Sequence, residues 1–391
     1  MTKTNVPRLR FKGFDGEWKD EKFKSLVERV KKTSDSDQYK KIEFSNIDEG
    51  KIIGKLSIND TKGIAFRKND ILFGKLRPYL KNWYYSMFDG VAVGDFWIFR
   101  AKRKISNSMF IYYLIQTHRY TRISNYTTGT KMPRSDWNFV SNSSFYISNL
   151  EEQQKIGSFF AKIDKLIELQ TKKLEQLKKL KQGYLQKIFP QDGESVPRLR
   201  FSGFSGEWKE ERLKSILLER NLKKEPSKEF PLMAFASQKG IVLKGDRYDR
   251  SALVKDDNKK YKITKFNDFI YSSNNFKTGS IGLNKFGDAT ISPVYSVFNV
   301  INNNNSDFFG VLSKNKSFIY KMLKYQQGVT YGQQRIKEDD FLKIIVRVPY
   351  KNEQQKIGSF FAKLDKLIEE QSNKLDQLKQ QKKAYLQKMF I

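Results

Sequence analysis

EQQKIGSFFAKIDKLIELQTKKLEQLKKLKQGYLQKIF, from Glu152 to Phe189, returns 201 residues later as EQQKIGSFFAKLDKLIEEQSNKLDQLKQQKKAYLQKMF, from Glu353 to Phe390, with 28 of 38 positions identical. Its apolar residues Ile156, Phe160, Ile163, Ile167, Leu174, Leu177, Tyr184 and Ile188 recur at a spacing close to 3.5, which marks a helix with one apolar seam. No proline interrupts the run and Pro190 forbids its continuation, so the pattern predicts a single helix of 38 residues, about 57 Å long at 1.5 Å per residue. The second copy keeps the seam at Ile357, Phe361, Leu364, Ile368, Leu375, Leu378, Tyr385 and Met389. Two such helices in one chain can pair through their seams, while Lys165, Glu168, Lys172, Glu175 and Lys179 read as a solvated face. Each copy also carries adjacent phenylalanines, Phe159-Phe160 and Phe360-Phe361. One seam buries only one of each pair well, so the other is expected to face a further partner.

The repeat has a head as well as a tail. Residues 6–25, VPRLRFKGFDGEWKDEKFKS, return as 196–215, VPRLRFSGFSGEWKEERLKS, with 15 of 20 positions identical at an offset of 190. Because the offset grows to 201 at the helix, the second intervening module is 11 residues longer. Trp18 and Trp208, beside paired glycines, read as packed turns that dock each module onto a helix. The expected divisions are residues 1–151, 152–190, 191–352 and 353–391.

With 391 residues, 31 Phe, 19 Tyr and 5 Trp, the chain has material for two or three domains with real cores. The formal net charge is +31. Residues 24–150 hold 22 basic and 11 acidic side chains and residues 214–350 hold 24 and 13, so each module is +11. Such a charge calls for a polyanion, nucleic acid or an anionic membrane. No apolar stretch approaches the roughly 20 residues of a spanning helix, and the N-terminal MTKTNVPRLRFKG lacks the apolar core of a signal peptide. With no cysteine and a single histidine, His118, neither disulfides nor a thiolate zinc site is available. A cytoplasmic location is the expectation.

Between head and helix the copies diverge almost completely, yet both show short β-rich runs, turns and one helical patch. KNDILF at 68–73 matches FNDFIY at 266–271, a turn leading into a buried strand. Later strands are expected at Phe96–Phe99 and Val294–Val300, with helices at Ser108–Arg122 and Asp307–Tyr325. Closing loops precede each long helix: TTGTKMPRSDW at 127–137 and GVTYGQQRIKEDD at 328–340. Glycine, hydroxyls and arginine suit a backbone that approaches phosphate or a guanidinium that meets a guanine edge, although a plain structural turn accounts for such loops as well. Thr130, Lys131 and Arg134 are the candidates in the first loop, and Gln333, Gln334 and Arg335 in the second. The run GKLRPYLKNWYY at 74–85 interleaves Lys75, Arg77 and Lys81 with Tyr79, Trp83 and Tyr84, and half of those aromatics read as core. The second module places Asn274, Asn275 and Lys277 at the matching point, and amides pair with adenine, so the two modules would read different bases.

No catalytic set can be assembled. The phosphate loop G-x-x-x-x-G-K-[ST] is missing, as is an Asn-Pro-Pro-aromatic motif for amino-methylation, of which Ser292-Pro293-Val294-Tyr295 is a distant echo. Asp256-Asp257 and Asp339-Asp340 lie in lysine-rich turns and read as solvated charge. His118 reads as a surface residue.

Two divergent modules alternate with two near-identical helices; PRLRF-x-GF-x-GEW opens each half, and EQQKIGSFFAK opens each helix. This organisation resembles the specificity subunit of Type I restriction-modification systems, over the whole chain. The resemblance implies an α+β fold: two β-rich target recognition domains separated by two long antiparallel coiled-coil helices, related by an internal pseudo-two-fold repeat. It implies that this chain is non-catalytic and binds no cofactor or metal. It further implies that the chain would read double-stranded DNA as two half-sites with a helical spacer between them. Two modification subunits would supply methyl transfer from S-adenosylmethionine, and two restriction subunits would supply ATP- and Mg2+-dependent translocation and cleavage. The helix-pair and partner interface would comprise Ile156, Phe159, Phe160, Ile163, Ile167, Leu174 and Leu177, with Ile357, Phe360, Phe361, Leu364, Ile368, Leu375 and Leu378. The alternative from another class is a two-headed coiled-coil scaffold binding RNA or acidic proteins. Distinct modules on a duplicated spacer favour DNA, and no RNP-type stacking motif is present.

Overall fold

A computed structural model describes residues 5–126, 132–236, 240–243, 260–326 and 335–391. The chain forms two compact units, Met1–Lys172 with Asn373–Ile391, and Lys173–Ser372. Both long helices therefore run from one unit into the other.

In the first unit, strands Trp83–Tyr85, Ile71–Gly74, Phe96–Ala101 and Val27–Val30 lie side by side in that order, all antiparallel. Ile71, Leu72 and Phe73 are consecutive and all buried, the pattern of a strand covered on both faces. The turn leading into it places Asn69 in the left-handed region at φ 72°, where asparagine is tolerated better than most residues. The Asp70 carboxylate then accepts from Arg67 N at 2.8 Å and from Arg100 at 2.6 and 2.9 Å. A second sheet runs Thr33–Ser34, Gly63–Phe66, Gly90–Ala92, Lys40–Ile42, Ser57–Ile58, with only the pair of Gly90–Ala92 and Lys40–Ile42 parallel.

The second unit repeats this plan. Its four-stranded sheet runs Leu217–Glu219, Tyr295–Val300, Phe269–Ser272, Ile281–Leu283. Asn267 at φ 69° opens the matching turn, and buried Asp268 binds Arg220 at 2.7 and 3.1 Å. Where the sequence predicts one helix per module there are two, Ser108–Leu114 with His118–Ser124 and Ser306–Leu312 with Lys316–Lys324. Thr117 and Asn315 break the runs. Their side chains accept from Tyr120 N and Phe318 N, so each competes with the helix behind it and caps a new one.

The long helices span Leu150–Lys187 and Lys351–Met389. The first ends two residues before the predicted Phe189. Ile188 and Phe189 turn into the core of the second unit, where Phe189 packs on Trp208 and Phe308 at 6.0 and 5.6 Å. Phe390 does the same in the first unit against Trp18 and Phe110 at 6.4 and 5.1 Å.

The repeated sequence at the helix start builds one lock, twice. Arg10 Nε and Nη2 donate to Glu152 at 2.7 and 2.8 Å, and Arg200 does so to Glu353 at 2.8 and 2.7 Å. Nη1 of each arginine reaches the head's own turn, at Gly16 O and Gly206 O, both 2.6 Å. Both glutamates are buried. The next residue pins the module: Gln153 accepts from Asn107 N and Gln354 from Asn305 N, both at 2.9 Å, ahead of a short helix in each case. Gly157 and Gly358 leave room for that helix, since a Cβ would stand 3.0 Å from Met109 Cβ in one unit and 2.7 Å from Asp307 Cβ in the other.

Within each unit the two long helices pair antiparallel. In the first, Phe159 meets Tyr385 at 5.2 Å and Asp164 meets Lys382 at 2.7 Å. In the second, Tyr184 meets Phe360 at 5.1 Å and Lys181 pairs with Asp365. The second phenylalanine of each pair, expected to face a further partner, is half covered within the chain. Phe160 and Phe361 lie in the cores, and Phe159 and Phe360 are partly buried because the heads close over them, with Phe11 and Phe201 edge-on at 5.5 Å each. A two-helix seam buries one ring of each pair, and the third segment covers part of the other.

Arg10→Met should cost about 3–5 kcal/mol in the stability of the first unit, because it strands a buried carboxylate. Arg10→Met with Glu152→Leu should recover most of that loss, as read by denaturant unfolding of the full chain.

Candidate nucleic-acid interface

In the first unit the hairpin turn between Ile71–Gly74 and Trp83–Tyr85 meets the end of the closing loop. Leu76 and Arg134 form a β-bridge, Arg77 N donates to Pro133 O at 2.7 Å, and Ser135 N donates to Lys75 O at 2.9 Å. Two stretches far apart in sequence, each singled out for its cations, thus form one surface. Asp95 organises it, pairing with Lys75 at 3.3 Å and with Arg134 Nη2 at 2.8 Å. Arg134 remains 58% exposed, so the tether takes one edge of the guanidinium and leaves the rest outward. Lys81 pairs with Glu49 at 3.0 Å in the open. Arg77 is exposed and pairs with no carboxylate among the described residues.

The turn itself is strained. Arg77 and Lys81 stand in the left-handed region at φ 49° and 58°, flanking the tight turn Pro78–Leu80; each such non-glycine residue costs about 1–3 kcal/mol unless its surroundings hold it. Trp83 and Tyr84 are core residues, whereas Tyr79 is 52% exposed. Thr130 and Lys131 lie outside the described residues.

In the second unit Asn274, Asn275 and Lys277 sit exposed on the equivalent turn, between Phe269–Ser272 and Ile281–Leu283. Gln333 and Gln334 lie outside the described residues. Arg335 reaches Glu338 at 3.2 Å, and the same carboxylate takes Ser296 Oγ at 2.9 Å and buried Lys262 at 3.5 Å. Burial works against the Glu338 charge, but its backbone N–H, Ser296 and the two cations outweigh it and hold its carboxyl below the ordinary range. Neighbouring Glu219 is pushed up by burial and by Glu338. The matching place in the first unit holds Arg29 over the Trp137 ring at 4.7 Å. The two surfaces therefore share a frame and differ in chemistry.

Sequence reading missed the organising carboxylates Asp95 and Glu338. Asp95 stands in VAVGDFW and Glu338 in KEDD, neither of which carries a motif; the fold brings Asp95 beneath Arg134 from 39 residues away, whereas Glu338 follows Arg335 by three residues and its spacing was the signal available. His118 is exposed. Among the described residues no group of three or more acidic or histidine side chains could hold a metal, and no helix is long and apolar enough to cross a membrane.

The geometry defines an internally duplicated α+β protein in which two units of one plan present different basic turns. The chain belongs to the family described as Type I restriction modification DNA specificity domain, which matches residues 16–179 and 206–380. It is similar to the Type I restriction enzyme MjaVIII specificity subunit of Methanocaldococcus jannaschii, at 23% identity over 171 residues, 40% of this chain. That match spans 37% of the relative's length. Among solved structures, the S subunit of a Type I restriction-modification system from M. genitalium shares the fold with TM-score 0.65 and 17% identity over 99% of both chains. A chain from a structure of a type I R-M system in complex assembly gives 0.54 and 17% over 95% of this chain and 97% of the other. Specificity subunits are the non-catalytic component of such systems, and the enzymatic activities reside in other subunits.

Arg134→Ala and Arg335→Ala should each weaken DNA binding by about 1–3 kcal/mol and alter the preference at one half-site only, a different one for each variant. Selection from randomised duplex DNA reads this directly.

Proposed function

We propose that this chain is the specificity subunit of a Type I restriction-modification complex. It reads a bipartite duplex target, one half-site per unit, and docks two modification subunits, with restriction subunits joining the assembly. The observation that carries the reading is the contrast within the repeat. The lock of Arg10 with Glu152 and of Arg200 with Glu353 is duplicated nearly atom for atom, whereas the turns beside Arg134 and Arg335 share neither sequence nor partners. A shared frame with unlike faces suits two different short sequences. The charge of +31 supports a polyanionic ligand. Leu166, Leu169, Leu180 and Leu367, exposed on the long helices, support a protein partner along them. Target recognition in this reading belongs to residues 1–151 and 191–352, and the helices at 152–190 and 353–391 act as spacer. Methyl donor, ATP and Mg2+ belong to the partner subunits.

The spacer is the testable part. One heptad inserted after Lys172 and one after Ser372 keeps the seam and lengthens each helix by about 10 Å. The unread gap in the selected DNA should then grow by up to about 3 base pairs while both blocks keep their bases, with some affinity lost to helical phase. An unchanged gap would show that the helices are not the ruler.

A further inference from the structure

Of the cations on the first unit's surface, Lys75 and Arg134 are held by Asp95 and Lys81 by Glu49. The Arg77 guanidinium is exposed and has no acceptor among the described residues. Its backbone is the most constrained of the four. It is left-handed at φ 49°, ψ 60°, and it precedes Pro78, a position that sterics ordinarily drive to extended backbone. Hydrogen bonds hold that conformation from both sides. Arg77 N donates to Pro133 O at 2.7 Å and Arg77 O accepts from Leu80 N at 2.9 Å, while the bridge between Leu76 and Arg134 fixes the preceding residue.

A phosphate contact needs only a positive charge within reach, and a flexible lysine supplies that. The held backbone fixes the point from which the Arg77 side chain leaves the surface, and a guanidinium, unlike an ammonium, carries a planar fork of donors that matches O6 and N7 of guanine in the major groove. Arg134, tied through Nη2 to Asp95 and bridged to Leu76, serves as part of the bracket and is a positioning residue. Resting on the reading of the first unit as a DNA half-site reader, we infer that Arg77 is a specificity-determining residue and that the half-site of this unit contains a guanine taken bidentately by its guanidinium.

Arg77→Gly is the decisive variant. Glycine accepts the left-handed backbone without strain, so the fold should persist with an undiminished unfolding midpoint. The full chain, with its modification subunits, is offered a duplex library randomised at every position. The native protein should select two blocks, one holding an invariant guanine. Arg77→Gly should lose that one preference by roughly 10- to 100-fold and keep every other base of both blocks. Arg77→Lys should keep the salt dependence of binding and discriminate less. An even loss of affinity over all sequences, with the guanine still selected, would make Arg77 a phosphate contact and overturn the inference, as would no change at all. A native protein that selected no sequence would overturn the half-site reading itself along with it.

Discussion

The bidentate pair between a head arginine and the first glutamate of a long helix is the constraint on which each unit depends. Glu152 and Glu353 are buried, and a buried carboxylate is tolerable only when a cation and further donors meet it in good geometry. Arg10 and Arg200 meet that demand with two N–H groups each and spend a third on a backbone carbonyl in the turn that carries Trp18 or Trp208. The burial that makes the pair costly to break also fixes its register. Once the glutamate is seated, the neighbouring glutamine aligns the start of a short module helix, and the glycine four residues later allows that helix to pack closely. Head, helix and module are thereby set by residues that stand next to one another in the sequence.

Because the frame is held this way, the exposed turns are free to differ. The four-stranded sheets have the same order in both units, and their central strands are covered on both faces. Between them the units solve the same problem by different chemistry. One places Arg29 over Trp137, and the other buries Lys262 between Glu219 and Glu338. A cation on an aromatic face tolerates loss of a hydrogen-bonding partner, whereas the ionic cluster must be satisfied as a set. Divergence at these positions changes what lies under each basic turn without disturbing the sheet order or the lock.

The strained turn at Arg77 belongs to the same logic. Left-handed arginine before proline persists only where neighbouring segments over-determine it, and here the closing loop does so through Pro133 and Arg134. Rigid frame and rigid turn together leave little reorganisation for the moment of binding, which favours discrimination over adaptability.

The amino-acid sequence by itself determined the duplication, the two long helices and their seams, and the charge of each module, because periodicity and repetition are one-dimensional properties. It also placed the strands beginning at Ile71 and Phe269, where an Asn-Asp turn precedes an unbroken apolar run. It did not show that Thr117 and Asn315 would each divide a helix, since a capping side chain competes with helix propensity only when the local core leaves it the choice. Nor did it show that Phe159 and Phe360 are half covered within the chain, because the third wall of each seam is Phe11 or Phe201, more than a hundred residues away. Asp95 carried no signal at all, whereas Glu338 stood three residues after Arg335. Only tertiary structure decided that Asp95 lies under Arg134 and that Lys262 and Ser296 share Glu338 with Arg335, because an ion pair depends on distance in space and these partners stand 39, 76 and 42 residues apart in the sequence.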